Sequence, residues 1–334
     1  MSEEKTKKPI DVEKAKEVAK SPKGKIGAVV SIVVILALIG TIVFFFNGKT
    51  DSPDDYEYTS TVTDVTITGL KNKSLESLNI PSEINGVPVT KIGTSAFESC
   101  TAVTSVNLPN SVTEIGNAAF SGCKSLEKID FSNSLTTIGR GAFSCCISLK
   151  SVSIPDSVTA IGANAFESCT SLSKVSIPDS VTTIEKYAFF KCSELSSISI
   201  PNSVTKIGVA AFSGCSSLKS IDLPTSMDAI SSSSFENCTS LKKIDIPNSV
   251  TDIDTNAFSG CTALTKVEIP KSVTRINSKA FSGCTGLTRI DIPITVTTVN
   301  RNAFGNCPEL TIYGVKGSAA HTYAVQNKIT FKEL

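Results

Sequence analysis

One period governs most of this chain. A Ser-Val-Thr triplet or a close variant begins at Pro88, Ser111, Ser134, Ser157, Ser180, Ser203, Ser226, Ser249, Ser272 and Thr295, always 23 residues apart. Phenylalanine recurs at the same interval from Phe97 to Phe304, and cysteine from Cys100 to Cys307. Copies in unbroken register point to a solenoid, in which each unit stacks on the next and none can bury its apolar side alone.

The consensus S-V-T-x-I-G-x-x-A-F-S-G-C-x-S-L-x-x-I-x-I-P-N falls into three pieces. Its Leu-x-x-Ile-x-Ile portion, as in Leu241, Ile244 and Ile246, predicts a short strand with the isoleucines inward. The proline that follows in most copies, for example Pro201 or Pro247, has no N–H to give a ladder and ends that strand. Asn or Asp with Ser supplies the turn chemistry. A second short extended segment carries residues such as Val204 and Ile207 inward. The next position is Gly93, Gly116, Gly139, Gly162 or Gly208, and later Asp254, Asn277 or Asn300. Those types tolerate positive φ, which predicts a corner there. Ala-Phe-x-x-Cys predicts about one helical turn with Ala, Phe and Cys inward.

The cysteine column does not suit a metal, because ligands 23 residues apart, one per coil, form a line and not a tetrahedron. Coils about 4.8 Å apart also hold parallel side chains further apart than the ~3.8 Å between Cβ atoms of a disulfide. The column therefore reads as buried thiols packed like small hydrophobes. Cys145, beside Cys146 and outside the column, is expected to be exposed and reactive.

These three motifs, recurring together at one period over about residues 56–334, resemble the BspA-like class of leucine-rich repeat proteins. The resemblance implies a leucine-rich repeat solenoid of short parallel strands, corners and single helical turns. It also implies a surface-exposed binding role, since several members look like adhesins, and it carries over no catalytic residue and no ligand. The chain departs from the common leucine-rich pattern in lacking an Asn ladder after the strand, where Ser or a near equivalent stands. The repeats run over 88–310, between an N-terminal cap at 56–87 and a C-terminal cap at 311–334. Val65 and Ile67 suggest a covering hairpin from Tyr56 to Gly69. Leu310, Tyr313 and Val315 suggest a last strand, Ser318 to Gln326 a short helix carrying a surface His321, and Ile329 to Phe331 a final strand. The run Ser231 to Ser234 lies in the most degenerate repeat, where Met227 and Asp228 replace Val-Thr, and is expected to be loose.

Ahead of the array, Ile26 to Phe46 are 21 consecutive residues without a charge. As a helix they span roughly 31 Å, matching a hydrocarbon core of about 30 Å. A cleaved signal peptide is the competing reading. The run exceeds the usual ~7–15 residues of such a peptide and ends in Phe44-Phe45-Phe46, which favours an uncleaved signal-anchor. Eight lysines precede it and one follows within 47–57, which places the N-terminus in the cytoplasm and the repeats outside the cell. Residues 1–25 are then a cytoplasmic tail, 26–46 a transmembrane helix and 47–55 a linker.

Charge narrows the function. Lys plus Arg number 32 against 31 Asp plus Glu, so the basic footprint of a nucleic-acid binder is missing. A single histidine makes a Ser-His-Asp or Cys-His relay improbable, and no enzyme or cofactor is expected. What varies from copy to copy is the outward side of the first strand, with Lys128, Asp130, Lys174, Asp222, Lys243, Asp245, Lys266, Glu268, Arg289 and Asp291. Calcium along the acidic column is disfavoured by the adjacent cations. The remaining readings are a solvated, self-paired face or a recognition surface. The chain is thus expected to be a single-pass membrane protein whose extracellular repeats bind a protein or glycan partner. A non-adhesive envelope scaffold or spacer is the alternative.

Overall fold

The computed structural model describes residues 50–334. The expected cytoplasmic tail and membrane helix lie outside the described residues.

Each repeat makes one coil, with two short parallel strands in every coil but that of Phe235, which has only the side strand. The front strands are three residues long, and each has its middle residue buried and its neighbours turned outward, as in Lys174–Ser176 and Ser197–Ser199. They pair at the repeat interval, for example Ser151 with Lys174 and Lys266 with Arg289. The side strands, such as Thr183–Ile184 and Lys206–Ile207, are two residues long and pair in the same way. Valine, isoleucine and leucine from every coil meet in one continuous core.

A single file of phenylalanine rings runs through that core. From Phe97 to Phe304 the rings stack nearly parallel, 5.1 Å apart at the closest pair and 5.8 Å at the widest, Phe212–Phe235. The file is closed edge-on at both ends. Tyr56 meets Phe97 at 6.2 Å and 79°, and Tyr323 meets Phe304 at 5.6 Å and 76°. Aromatic rings favour such offset-stacked and edge-on contacts over a perfect sandwich. The front ladder is interrupted at several coils.

The corner glycines serve a different purpose from the one expected. None of Gly93, Gly116, Gly139, Gly162 and Gly208 has positive φ. They are small because the preceding coil leaves no room. A Cβ on Gly139 would lie 2.5 Å from the backbone carbon of Gly116, and one on Gly208 would lie 2.5 Å from the nitrogen of Lys186. Where the column changes to Asp254, Asn277 and Asn300, the side chains form a short amide ladder. Asn277 Nδ2 donates to Asp254 Oδ1 at 3.1 Å, and Asn300 Nδ2 donates to Asn277 Oδ1 at 2.9 Å.

Positive φ falls two and six residues later instead, as at Ala118 and Gly122 or Asn164 and Ser168. The Ala-Phe-x-x-Cys segment is therefore a run of tight turns and not the helical turn expected. Alternate N–H groups close the turns within a coil, as Cys123 N does on Phe120 O at 3.2 Å. The others point to the next coil, as Ala118 N does to Arg140 O at 2.8 Å and Phe120 N to Ala142 O at 2.8 Å. A helical turn would keep both sets inside one coil and leave neighbouring coils unjoined.

The hydroxyls of Ser-Val-Thr also join coils. Ser180 Oγ donates to Val158 O at 2.7 Å, and Thr182 Oγ1 donates to Thr159 O at 3.3 Å, while Val181 between them is buried. The stretch expected to be loose is packed like the rest. Met227 takes the buried valine place, and Ser231 Oγ donates to Ile207 O at 2.5 Å.

At the N-terminal end, β1 (Tyr56–Ser60) and β2 (Val65–Leu70) form an antiparallel hairpin, and β2 continues the side ladder. The linker expected over 47–55 is docked from Asp51 onward. Asp51 N donates to Asn79 O at 3.0 Å, and its carboxylate accepts from Asn79 N at 2.8 Å and from the Tyr56 hydroxyl. At the other end one residue is missing from the repeat after Leu310, so Arg289 pairs with Thr311 instead of position 312. The slip reverses the expected last strand. Ile312 and Gly314 point inward, Tyr313 turns outward, and Val315 is exposed. Helix α1 (Ala319–Gln326), capped by Ser318, buries Ala320, Tyr323 and Ala324. His321 is only half-exposed on it. Its Nδ1 accepts from Gly317 N at 3.2 Å, and its ring lies 4.7 Å from Phe331.

Candidate functional site

The outward face of the front strands is built from residues two apart. Such residues project from one side of a strand about 6.6 Å from each other, within reach of a lysine or arginine. Ion pairs accordingly form between residues two apart on this face: Lys128 with Asp130 at 2.8 Å, Lys243 with Asp245 at 2.8 Å, and Lys266 with Glu268. Arg289 grips Asp291 with two bonds, at 2.7 and 3.0 Å. Lys174 and Asp222 face serines across their strands, Ser176 and Ser220, and have no ion-pair partner among the described residues.

The stacking gathers these residues unequally. Lys243, Asp245, Lys266, Glu268, Arg289 and Asp291 occupy three successive coils. Lys128, Asp130 and Lys174 stand several coils away. The bond to Asp245 pushes the Lys243 ammonium above its ordinary pKa, and the bond to Asp291 does the same for the Arg289 guanidinium. Both stay cationic at any physiological pH. Exposed pairs of this kind add little to stability, so their worth lies in the pattern of charge they present.

Two features of this face escaped the sequence reading. One is Tyr313, which the missing residue turns outward in line with Glu268 and Asp291. The Arg289 guanidinium sits 4.1 Å above its ring, and Lys332 lies 5.8 Å from it. The other is a break in the sheet. Lys243 to Asp245 form no strand and no ladder on either side among the described residues. They belong to the coil of Phe235, beside the widest step in the aromatic stack. A cleft of about 740 Å³ opens between this coil and the next, floored by Ile246, Ile269 and Pro270 and flanked by Lys242 and Lys271. A second cleft, about 360 Å³, lies between the last coil and α1 beside Tyr323 and Asn327.

The cysteine column does more than fill space. The Cys123 thiol donates to Phe97 O at 3.0 Å, and the same bond recurs in each later coil as far as Cys307 and Phe281 at 3.2 Å. Burial pushes the Cys123 and Cys215 thiols up to about 12 and Cys307 to about 11. They remain neutral donors and poor nucleophiles. Cys145 is exposed, as expected from its place outside the column.

The family model described as BspA type Leucine rich repeat region (6 copies) matches residues 63–196 and again 182–311. No curated protein matches the chain significantly. Among solved structures, a leucine rich cell surface protein from Faecalibacterium prausnitzii A2-165 is similar at 28% identity. The match covers 83% of this chain and 97% of that one, with a TM-score of 0.45. A leucine-rich repeat protein from Bacteroides ovatus is similar at 26% identity over 85% of this chain and 99% of that one, with a TM-score of 0.36. The T. pallidum Leucine Rich Repeat protein is similar at 22% identity over 86% and 98%, with a TM-score of 0.38.

Proposed function

The chain belongs to the BspA-type leucine-rich repeat family, and from that premise we propose that it is a membrane-anchored adhesion module whose repeats face outward from the cell. Proteins of this kind are typically binding or scaffold proteins. The observation that carries the reading is the contrast between the two sides of the front strands. Inward positions repeat almost unchanged in every coil, as the phenylalanine file does. Outward positions change from coil to coil, and the charged ones cluster between Lys243 and Asp291. A face free to vary over a fixed core suits recognition of a protein or glycan partner across several coils. The uncharged run Ile26 to Phe46, with lysines ahead of it, supports the anchor and its orientation.

Protease added to intact, wall-stripped cells tests the topology. The repeats should be removed and a small anchored N-terminal fragment should remain. Protection of the repeats while a known surface protein is digested would overturn it. Binding of the full-length chain to foreign cells or matrix tests adhesion against the reading as a spacer, for which no binding is expected.

A further inference from the structure

The cleft between the coils of Phe235 and Phe258 combines three features. Its backbone is unladdered: Lys243 to Asp245 form no strand, and among the described residues theirs is the only front segment with a ladder on neither side, although Lys242 N donates to Lys219 O at 3.3 Å. Its floor is aliphatic, formed by Ile246, Ile269 and Pro270. Its charge is unbalanced. Asp245 and Glu268 are tied to Lys243 and Lys266, whereas Lys242 and Lys271 have no ion-pair partner among the described residues.

Lys271 is itself a departure from the repeat. The equivalent turn position is Asn110, Asn133, Asp156, Asp179, Asn202 or Asn248 in most coils, types that favour the turn through their own side chains, and Thr225 and Ile294 in two others. Among these departures Lys271 is the one that adds a charge, and it does so at the edge of the cleft.

We propose that this cleft docks an extended acidic peptide segment of a protein partner, seating an aliphatic side chain on Ile246, Ile269 and Pro270 between carboxylates held by Lys242 and Lys271. The volume lies within the ~300–1,000 Å³ of ligand sites. In an extended chain residues i and i+2 share a face about 6.6 Å apart. The fitting pattern is therefore acidic-x-aliphatic-x-acidic, with the two carboxylates about 13 Å apart. The peptide's own amides suit the unladdered backbone along the edge. This assignment rests on the reading of the outward face as a recognition surface, and it names the partner's chemistry.

The test measures fluorescence anisotropy of a labelled Ser-Glu-Ser-Leu-Ser-Glu-Ser peptide against the full-length chain. Saturable binding is expected, weakened at least tenfold in Lys242→Gln/Lys271→Gln. It should be little changed in Lys124→Gln/Lys206→Gln, which removes the same charge from exposed lysines elsewhere on the solenoid. Replacing the peptide leucine by serine should weaken binding by a similar factor. Absence of peptide binding, or equal binding to the cleft variant or by the serine peptide, would overturn the assignment. So would a sulfated oligosaccharide that binds and is lost in Lys242→Gln/Lys271→Gln while the peptide does not bind, since the cleft would then take glycans. Cell binding that survives this variant but is lost in Lys243→Glu/Lys266→Glu/Arg289→Glu would leave the face reading standing and the cleft assignment refuted. Cell binding unaffected by either variant would refute both.

Discussion

The Cys192 thiol donates to the carbonyl oxygen of Phe166, one coil back, at 3.2 Å, and the N–H of Cys169 reaches the same oxygen from within its own coil, also at 3.2 Å. That carbonyl thus has both lone pairs used, one by its own turn and one by the next coil. Alanine could fill part of the space but could not donate. The recurrence of cysteine, and not merely of a small apolar residue, follows from this bond.

Cys192→Ala should therefore lower stability by about 0.5–1.5 kcal/mol, the usual net worth of one hydrogen bond, because Phe166 O keeps the bond from Cys169 N–H. Cys192→Ser keeps a donor on a shorter arm and should recover part of the loss. Cys192→Val keeps the volume without the donor and should not. Chemical denaturation of the three variants checks the order, and wild-type stability in Cys192→Ala would show that the bond is incidental.

Alkali should weaken the array through the same column. Burial pushes the Cys215 thiol up from an ordinary 9.0 to about 12, so the folded state favours the neutral form. Its contribution is complete below about pH 9. It is lost as pH rises from there toward 12, because only the unfolded chain can release the proton cheaply. Stability should fall between pH 9 and 10.5, and Cys215→Ala should fall by less than the wild type over that interval. Parallel curves for the two proteins would remove the thiols from the explanation.

The solenoid, its period and its inward columns were legible because ten copies act as their own control: Phe189 or Ile184 could hold only one kind of place. What was not legible concerns contacts between coils. Gly139 and Asn277 invite a reading from backbone preference, yet one is small to admit Gly116 and the other is polar to reach Asp254. The outward direction of Tyr313 was hidden because one missing residue after Leu310 reverses every side chain that follows. The cleft beside Asp245 lies between two coils, so no single repeat reveals it.

Gly139→Ala should be more damaging than Gly141→Ala, although Gly141 is the one with positive φ, at 63°. The added Cβ at 139 meets backbone of the preceding coil, which cannot step aside, and should cost about 1–3 kcal/mol as overpacking does. At 141 the nearest neighbour is Ser144 Cβ at 3.9 Å, and Ala118 already occupies the equivalent place with φ of 52°. Melting temperatures of the pair decide it, and the reverse order would restore the backbone account of the corner.

Ser234→Ala should stabilise the protein. Ser234 stands in a column otherwise filled by alanine, such as Ala211 and Ala257. It is buried, and its Oγ has no hydrogen-bond partner among the described residues. Removing a buried unsatisfied hydroxyl is worth about 1–3 kcal/mol. A lower melting temperature in the variant would mean that the hydroxyl is satisfied in solution.

The binding face is tested by charge reversal at Lys243, Lys266 and Arg289. Each cation is paired with a carboxylate two residues on, so replacement by glutamate sets like charges side by side in three successive coils. The side chains are largely exposed and the core beneath them is untouched, so circular dichroism and melting should change little. A partner reading this strip would meet an inverted potential, and such a change acts first on the rate of encounter. Binding of the full-length chain should therefore weaken, mainly through a slower on-rate, and its dependence on salt should fall or change sign. Arg140, Lys186 and Arg301 carry the same sign of charge on the turn side, away from the front strands. Reversing those three should leave binding intact. If binding survived the first triple reversal and was lost in the second, the partner would sit on the turns, and the front face would be only a solvated, self-paired surface.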